Sequence, residues 1–104
     1  MLNLMHDLYH MMDEEVEGAE TYARKAVEYK ENMPNLAKTF DAMSADEMKH
    51  ANLLEAEING AIANEKKAGH TVLPEMDAIY NFMHGHYADK LAMARVMQAK
   101  YKGG

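Results

Sequence analysis

The stretch PNLAKTFDAMSADEMKHANLLEAEINGAIANEKK, residues 34–67, decides the fold. It opens on a proline, which suits the first turn of a helix, and contains no other. Its apolar residues Leu36, Phe40, Met43, Ala51, Leu54, Ile58 and Ile62 recur in steps of three and four, with one gap. That is the period of an amphipathic α-helix. Glu47 fills the gap. A carboxylate thus occupies the centre of the apolar face, and His50 lies at its edge, roughly 60° away at 100° per residue.

Working outward, the punctuation divides the chain into three helices. Asn32-Met33-Pro34-Asn35 is one break, and Ala68-Gly69-His70-Thr71 is the other, with Gly69 as a C-cap and Pro74 near the next start. The spacing predicts helices over about residues 2–31, 34–67 and 74–101, each roughly 40 to 50 Å long at the α-helical rise. No stretch alternates as a strand does, and β-branched residues are sparse. The expected fold is all-α. A long antiparallel hairpin is followed by a third helix, in a single domain over residues 1–104.

Composition narrows the function classes. The chain has 104 residues, 48% hydrophobic and 27% charged, as one globular domain requires. It has no cysteine, which excludes disulfides, thiolate zinc sites and cysteine nucleophiles. A net charge of -6 and a pI near 5.4 argue against nucleic acid and anionic membranes as partners, and favour cations. Residues 1–15 lack both a basic segment and a continuous apolar core, so neither a signal peptide nor a membrane anchor is expected, and the cytoplasm is the expected location. The 11 methionines read as deformable core or interface filler rather than as a copper site.

On the first helix the apolar series runs Leu4, Leu8, Met11, Met12, Ala19, Tyr22, Ala26 and Met33, and Glu15 falls inside it. Each helix of the hairpin therefore carries one carboxylate where a leucine is expected. An unpartnered buried carboxylate costs several kcal/mol or takes up a proton, so something must compensate. A lysine could do so: Lys90 for either carboxylate, or Lys38 for Glu15. A bound cation is the other compensation. The two positions also match in height. The first helix covers roughly 26 Å from Glu15 to the turn, and the second roughly 22 Å from the turn to Glu47 and His50. Glu20 passes the height test too, and only its facing, roughly 140° from Glu15, separates the two.

Glu47-Met48-Lys49-His50 places a carboxylate and an imidazole one helical turn apart. With an acidic residue before it, Asp46, this segment resembles the second metal-binding helix of the ferritin and rubrerythrin superfamily. Glu15-Val16-Glu17-Gly18-Ala19-Glu20-Thr21-Tyr22 resembles that family's first helix, where a ligand Glu is followed by a small residue and, seven positions on, by a tyrosine near the site. The resemblance covers residues 1 to about 67. It implies that Glu15, Glu47 and His50 are metal ligands, with Glu20 as the fallback on the first helix and Tyr22 beside the site.

A complete ferritin-like bundle has four helices and a second Glu plus Glu-x-x-His set, whereas this chain has one set. Completion by a homodimer is the simplest remedy: two hairpins would form a four-helix bundle holding four Glu and two His, whose charge balances two divalent ions. Encapsulated ferritins are similar in carrying half a site per chain. The resemblance therefore implies iron, two ions per dimer, with manganese as the other candidate by ligand hardness. It also implies oxidation of Fe(II) by O2 or peroxide, in iron storage or detoxification. The competing expectation is a helical assembly protein with structural metal or none. The third helix, with its apolar face Met76, Ile79, Tyr80, Met83, Tyr87, Leu91, Ala94, Met97 and Tyr101, could close a bundle within the protomer, flank a dimeric core or reach a neighbour in a larger oligomer. His84 and His86, like His6 and His10, read first as solvent or interface histidines.

Overall fold

The computed structural model describes residues 2–69 and 74–103, apart from the side chains of Leu2, Glu75 and Met76. Three α-helices make up the described chain: α1 (Leu2–Tyr29), α2 (Pro34–Lys67) and α3 (Pro74–Tyr101). α2 and α3 have the bounds that their spacing predicts, while α1 ends two residues early in the turn at residues 30–32. Pro34 stands in the first turn of α2, where its missing N–H costs nothing, and the Ala37 amide donates to the Met33 carbonyl at 3.0 Å. Beyond the far end of α2, Gly69 takes φ +81° and donates to the Lys66 carbonyl, the left-handed cap that a side chain would strain. His70 and Thr71 of the second break lie outside the described residues.

The helices run up, down and up in a rod with extents 56 × 20 × 17 Å. α1 is the shared partner: it packs along both α2 and α3, which touch each other little. α3 thus closes a three-helix bundle within the protomer. Of the face that the sequence marks, Tyr87 and Ala94 are buried and Ile79, Tyr80, Met83, Leu91, Met97 and Tyr101 half-buried, while the Met76 side chain lies outside those described.

The core of α1 is a seven-residue repeat: Met5, Tyr9, Met12, Val16, Ala19, Ala23 and Ala26 are all buried. Met12, Ala19 and Ala26 of the expected face belong to it, and the rest of that face is displaced by one residue. Leu4, Met11 and Met33 are about half exposed, and Val16 rather than Glu15 takes the central core position. On α2, Ala51 and Ile58 of the expected face are buried, Ala37 and Ser44 are buried beside them, and Met43 is exposed. The upper half of the hairpin is lined with alanines, which lets the helices approach closely. There Ser44 Oγ donates to the Ala19 carbonyl at 2.6 Å and accepts from Gln98 Nε2 at 2.9 Å, joining all three helices through one buried hydroxyl.

Further down, Tyr87 donates to Asn52 Oδ1 at 3.3 Å, and burial, with Glu55 nearby, pushes its hydroxyl pKa up to about 12. Burial raises that of Tyr9 still further. Its hydroxyl is enclosed without a hydrogen-bond partner among the described residues, between Tyr80 and Glu55.

Candidate metal centre

Displacing the core repeat by one residue leaves a second stripe on each helix of the hairpin. On α1 it runs Leu4, Leu8, Met11, Glu15, Gly18, Tyr22 and Tyr29; on α2 it runs Leu36, Phe40, Met43, Glu47, His50 and Leu54. Both keep the seven-residue spacing, and both border the core on the side away from α3. Above the middle of this open face Tyr22 and Tyr29 stack on Phe40, with ring centroids 6.1 and 6.2 Å apart. In the middle sit three polar side chains.

Glu15, Glu47 and His50 converge there. One ligand atom from each can be chosen so that all three lie within 4.8 Å of one another, the one such His and carboxylate group among the described residues. His50 Nδ1 lies 3.3 Å from Glu15 Oε2. Glu15 also hydrogen-bonds Glu47, which is the main reason that the Glu47 pKa is raised above 4.5; burial adds to the shift, and His50 opposes it. Two carboxylates this close in the absence of a cation are best accommodated when they share a proton.

Gly18 forms part of the floor. A Cβ at this position would stand 3.2 Å from Glu47 Oε2 and 3.5 Å from its Cγ and Cδ. The glycine is in mid-helix, where it costs about 1 kcal/mol relative to alanine, and in return the Glu47 carboxylate lies flat against α1. The small residue after Glu15 is visible in the sequence; the carboxylate resting on it is not.

The other sequence candidates fall elsewhere. Glu20 pairs with Arg24 at 2.7 Å on another side of α1 and is not part of the cluster. Tyr22 sits two turns along the stripe from Glu15, against Phe40. Lys90 does not compensate Glu15 or Glu47. Its ammonium lies 3.0 Å from Asp13 and 3.8 Å from Glu17, and His86 Nε2 meets the same Asp13 oxygen at 3.0 Å. Asp13 thus ties α1 to α3, a role that nothing in its local sequence signals. His84 stacks on Tyr80, and His10 pairs with Glu14 on the surface. A concavity of about 500 Å³ between α1 and α3, bordered by His6, His10 and Phe82, is mostly apolar and does not coincide with the cluster.

The donor set suits a hard or borderline divalent ion: two carboxylates and an imidazole, with no thiolate. Three donors per chain are too few for two ions and sparse for one, and the His50 side chain is 54% exposed, so the site is open on the side away from the bundle. No family model, characterised protein or solved structure matches the chain. Among the described residues no helix is long and apolar enough to cross a membrane.

Proposed function

We propose that this chain is one half of a ferritin-like di-iron centre, and that two copies pair through the open face of the α1–α2 hairpin to oxidise Fe(II). The observation that carries this reading is the position of the Glu15, Glu47 and His50 cluster. It lies in the middle of an apolar stripe, not at its solvated margin, and its carboxylates bond each other instead of a lysine. Two such faces brought together would form a four-helix bundle with four Glu and two His in its interior. The four carboxylates would then balance two divalent ions, removing the cost of burying them unpaired.

In this arrangement Glu15, Glu47 and His50 would hold the metal, and Tyr22 would border it. Iron, when bound, supplies the electrons that reduce O2 or peroxide. The protein's own share is to exclude bulk water with the surrounding Leu, Met and aromatic side chains, and to release the proton held between Glu15 and Glu47 as the cation enters. Manganese satisfies the same donors.

An anaerobic Fe(II) titration of metal-free protein, followed by admission of O2, tests the proposal. The expected result is saturation near one iron per protomer and a rapid rise of ferric absorbance in the near ultraviolet. Both should be lost in Glu47→Ala and His50→Ala. Absence of saturable binding would leave a helical assembly protein whose three polar residues are structural, a reading that the exposed apolar stripe equally favours.

A further inference from the structure

On the side of α3 that faces away from α1, Phe82 is 70% exposed, Val96 61% and Met93 48%, the largest such group on one helix among the described residues. At 100° per residue these three fall with Ala78, Gly85, Ala92 and Ala99 on an arc opposite the buried Tyr87 and Ala94. Apolar residues therefore occupy a second face of the helix besides the one packed on α1, with Asp89 and Lys100 among them. Charge along α3 is divided in two. From Pro74 to Asp89 it carries Glu75, Asp77 and Asp89 and no lysine or arginine; from Lys90 to Tyr101 it carries Lys90, Arg95 and Lys100 and no acid. Lys90 is turned inward to Asp13, while Asp77, Asp89, Arg95 and Lys100 are exposed.

We infer that α3 pairs through this outer face with α3 of a second copy, antiparallel. The charge division selects both partner and direction. An antiparallel copy sets the acidic half of each helix against the basic half of the other, whereas a parallel copy sets like against like. The register that overlaps the most helix places Ala78 opposite Ala99 and Gly85 opposite Ala92. It brings Asp77 level with Lys100 and seats Phe82 between Arg95 and Val96 of the other copy. Small residues at those four levels let the two backbones approach closely, and the seven-residue spacing keeps the seam in contact along its length. Asp89 falls inside the arc, between Val96 and Phe82, and in this register stands beside Asp89 of the other copy at the two-fold axis, so the opposite charges meet at the two ends of the seam. This face lies on a different side of the rod from the open hairpin face, so the pairing does not depend on the proposed metal centre.

The chain has no cysteine, so engineered thiols report the seam directly. Ala78→Cys protein mixed with Ala99→Cys protein under mild oxidation should give a disulfide dimer containing one copy of each, roughly tenfold or more above either variant alone, because the seam concentrates one thiol against the other. Gly85→Cys mixed with Ala92→Cys should behave in the same way. Self-linking of Ala78→Cys in preference to the mixed product would overturn the antiparallel arrangement. Mixed linking no faster than that of an exposed Lys67→Cys control would overturn the interface. Sedimentation of Phe82→Asp/Val96→Asp supplies a second reading: one association step should disappear while helix content and Fe(II) titration stay as in the parent protein. If the iron titration fails and the thiols still link, the metal centre falls and this interface stands.

Discussion

The Glu15–Glu47 hydrogen bond gives the metal-free protein a pH signature. Because the Glu47 pKa is raised above 4.5 in the folded chain, the folded state holds this proton more tightly than the unfolded chain does. The stabilisation is fully present below the ordinary carboxylate value and is lost as pH rises through the raised one. Thermal melting of metal-free protein should therefore show a falling contribution from the pair across that window. Glu47→Gln, which keeps a hydrogen-bond donor at all pH values, should flatten the fall, raise the melting temperature near neutrality and abolish iron binding. A variant that melted below the parent at pH 7 would show that the carboxylates do not crowd each other. Gly18 separates stability from site geometry at the next position. Gly18→Ala should favour α1 by up to about 1 kcal/mol, yet its methyl, 3.2 Å from Glu47 Oε2, must displace that carboxylate. We expect metal-free protein no less stable than the parent and divalent affinity lower by roughly tenfold, read by melting and by metal titration. Unchanged affinity would mean that Glu47 takes another rotamer when it binds.

At the scale of elements, the bundle depends on a hydroxyl in an alanine-lined seam. Ser44 is fully buried and bonded to α1 and α3 at once. Ser44→Ala should lower unfolding free energy by about 1 kcal/mol, since Gln98 can turn to solvent and Ala19 has its own helical donor. Ser44→Leu should cost about 1–3 kcal/mol by overpacking, with the denaturant slope unchanged in both. A loss in Ser44→Ala as large as that in Ser44→Leu would indicate that Gln98 remains buried and unpaired. The sequence discloses α2 and α3 to the residue, because Pro34, Gly69 and Pro74 act through local backbone chemistry. Which face of α1 is inside was not legible. Its two stripes, one through Met5, Tyr9, Met12 and Val16 and one through Leu4, Leu8, Met11 and Glu15, are both apolar, both helical in period and only about 100° apart. Only the packing of α3 decides between them. The pairing of Glu15 with Glu47 and His50 was legible all the same: height along an antiparallel hairpin depends on residue count alone, and facing separates Glu15 from Glu20, which passes the same height test. The Asp13 clamp was not, because its partners His86 and Lys90 lie more than seventy residues away on a helix whose placement the periodicity left open.

For the whole molecule the displaced stripe has a thermodynamic consequence. A free monomer would leave Leu4, Met11, Met43 and the half-buried Phe40 of the hairpin face in water, at roughly 25 cal/mol for each Å² of apolar surface left uncovered. If the protomers pair through this face, melting must depend on protein concentration, because folding and association are then linked. The neutral double substitution Met11→Gln/Met43→Gln separates the cases. On a monomer surface, exchanging two exposed methionines for helix-forming glutamines should change stability by no more than about 0.5 kcal/mol each and leave melting independent of concentration. On a paired face it should lower the melting temperature and remove the concentration dependence. It should also shrink the extra stabilisation that Mn(II) or Zn(II) confers beyond an equal ionic strength of sodium chloride, although Glu15, Glu47 and His50 are all intact. That last loss is the decisive one. Three donors on one chain form half a coordination shell, so a variant that keeps every ligand but not the partner should bind divalent ions weakly. If it binds them as tightly as the parent, the cluster is a complete one-chain site and the shared centre must be given up.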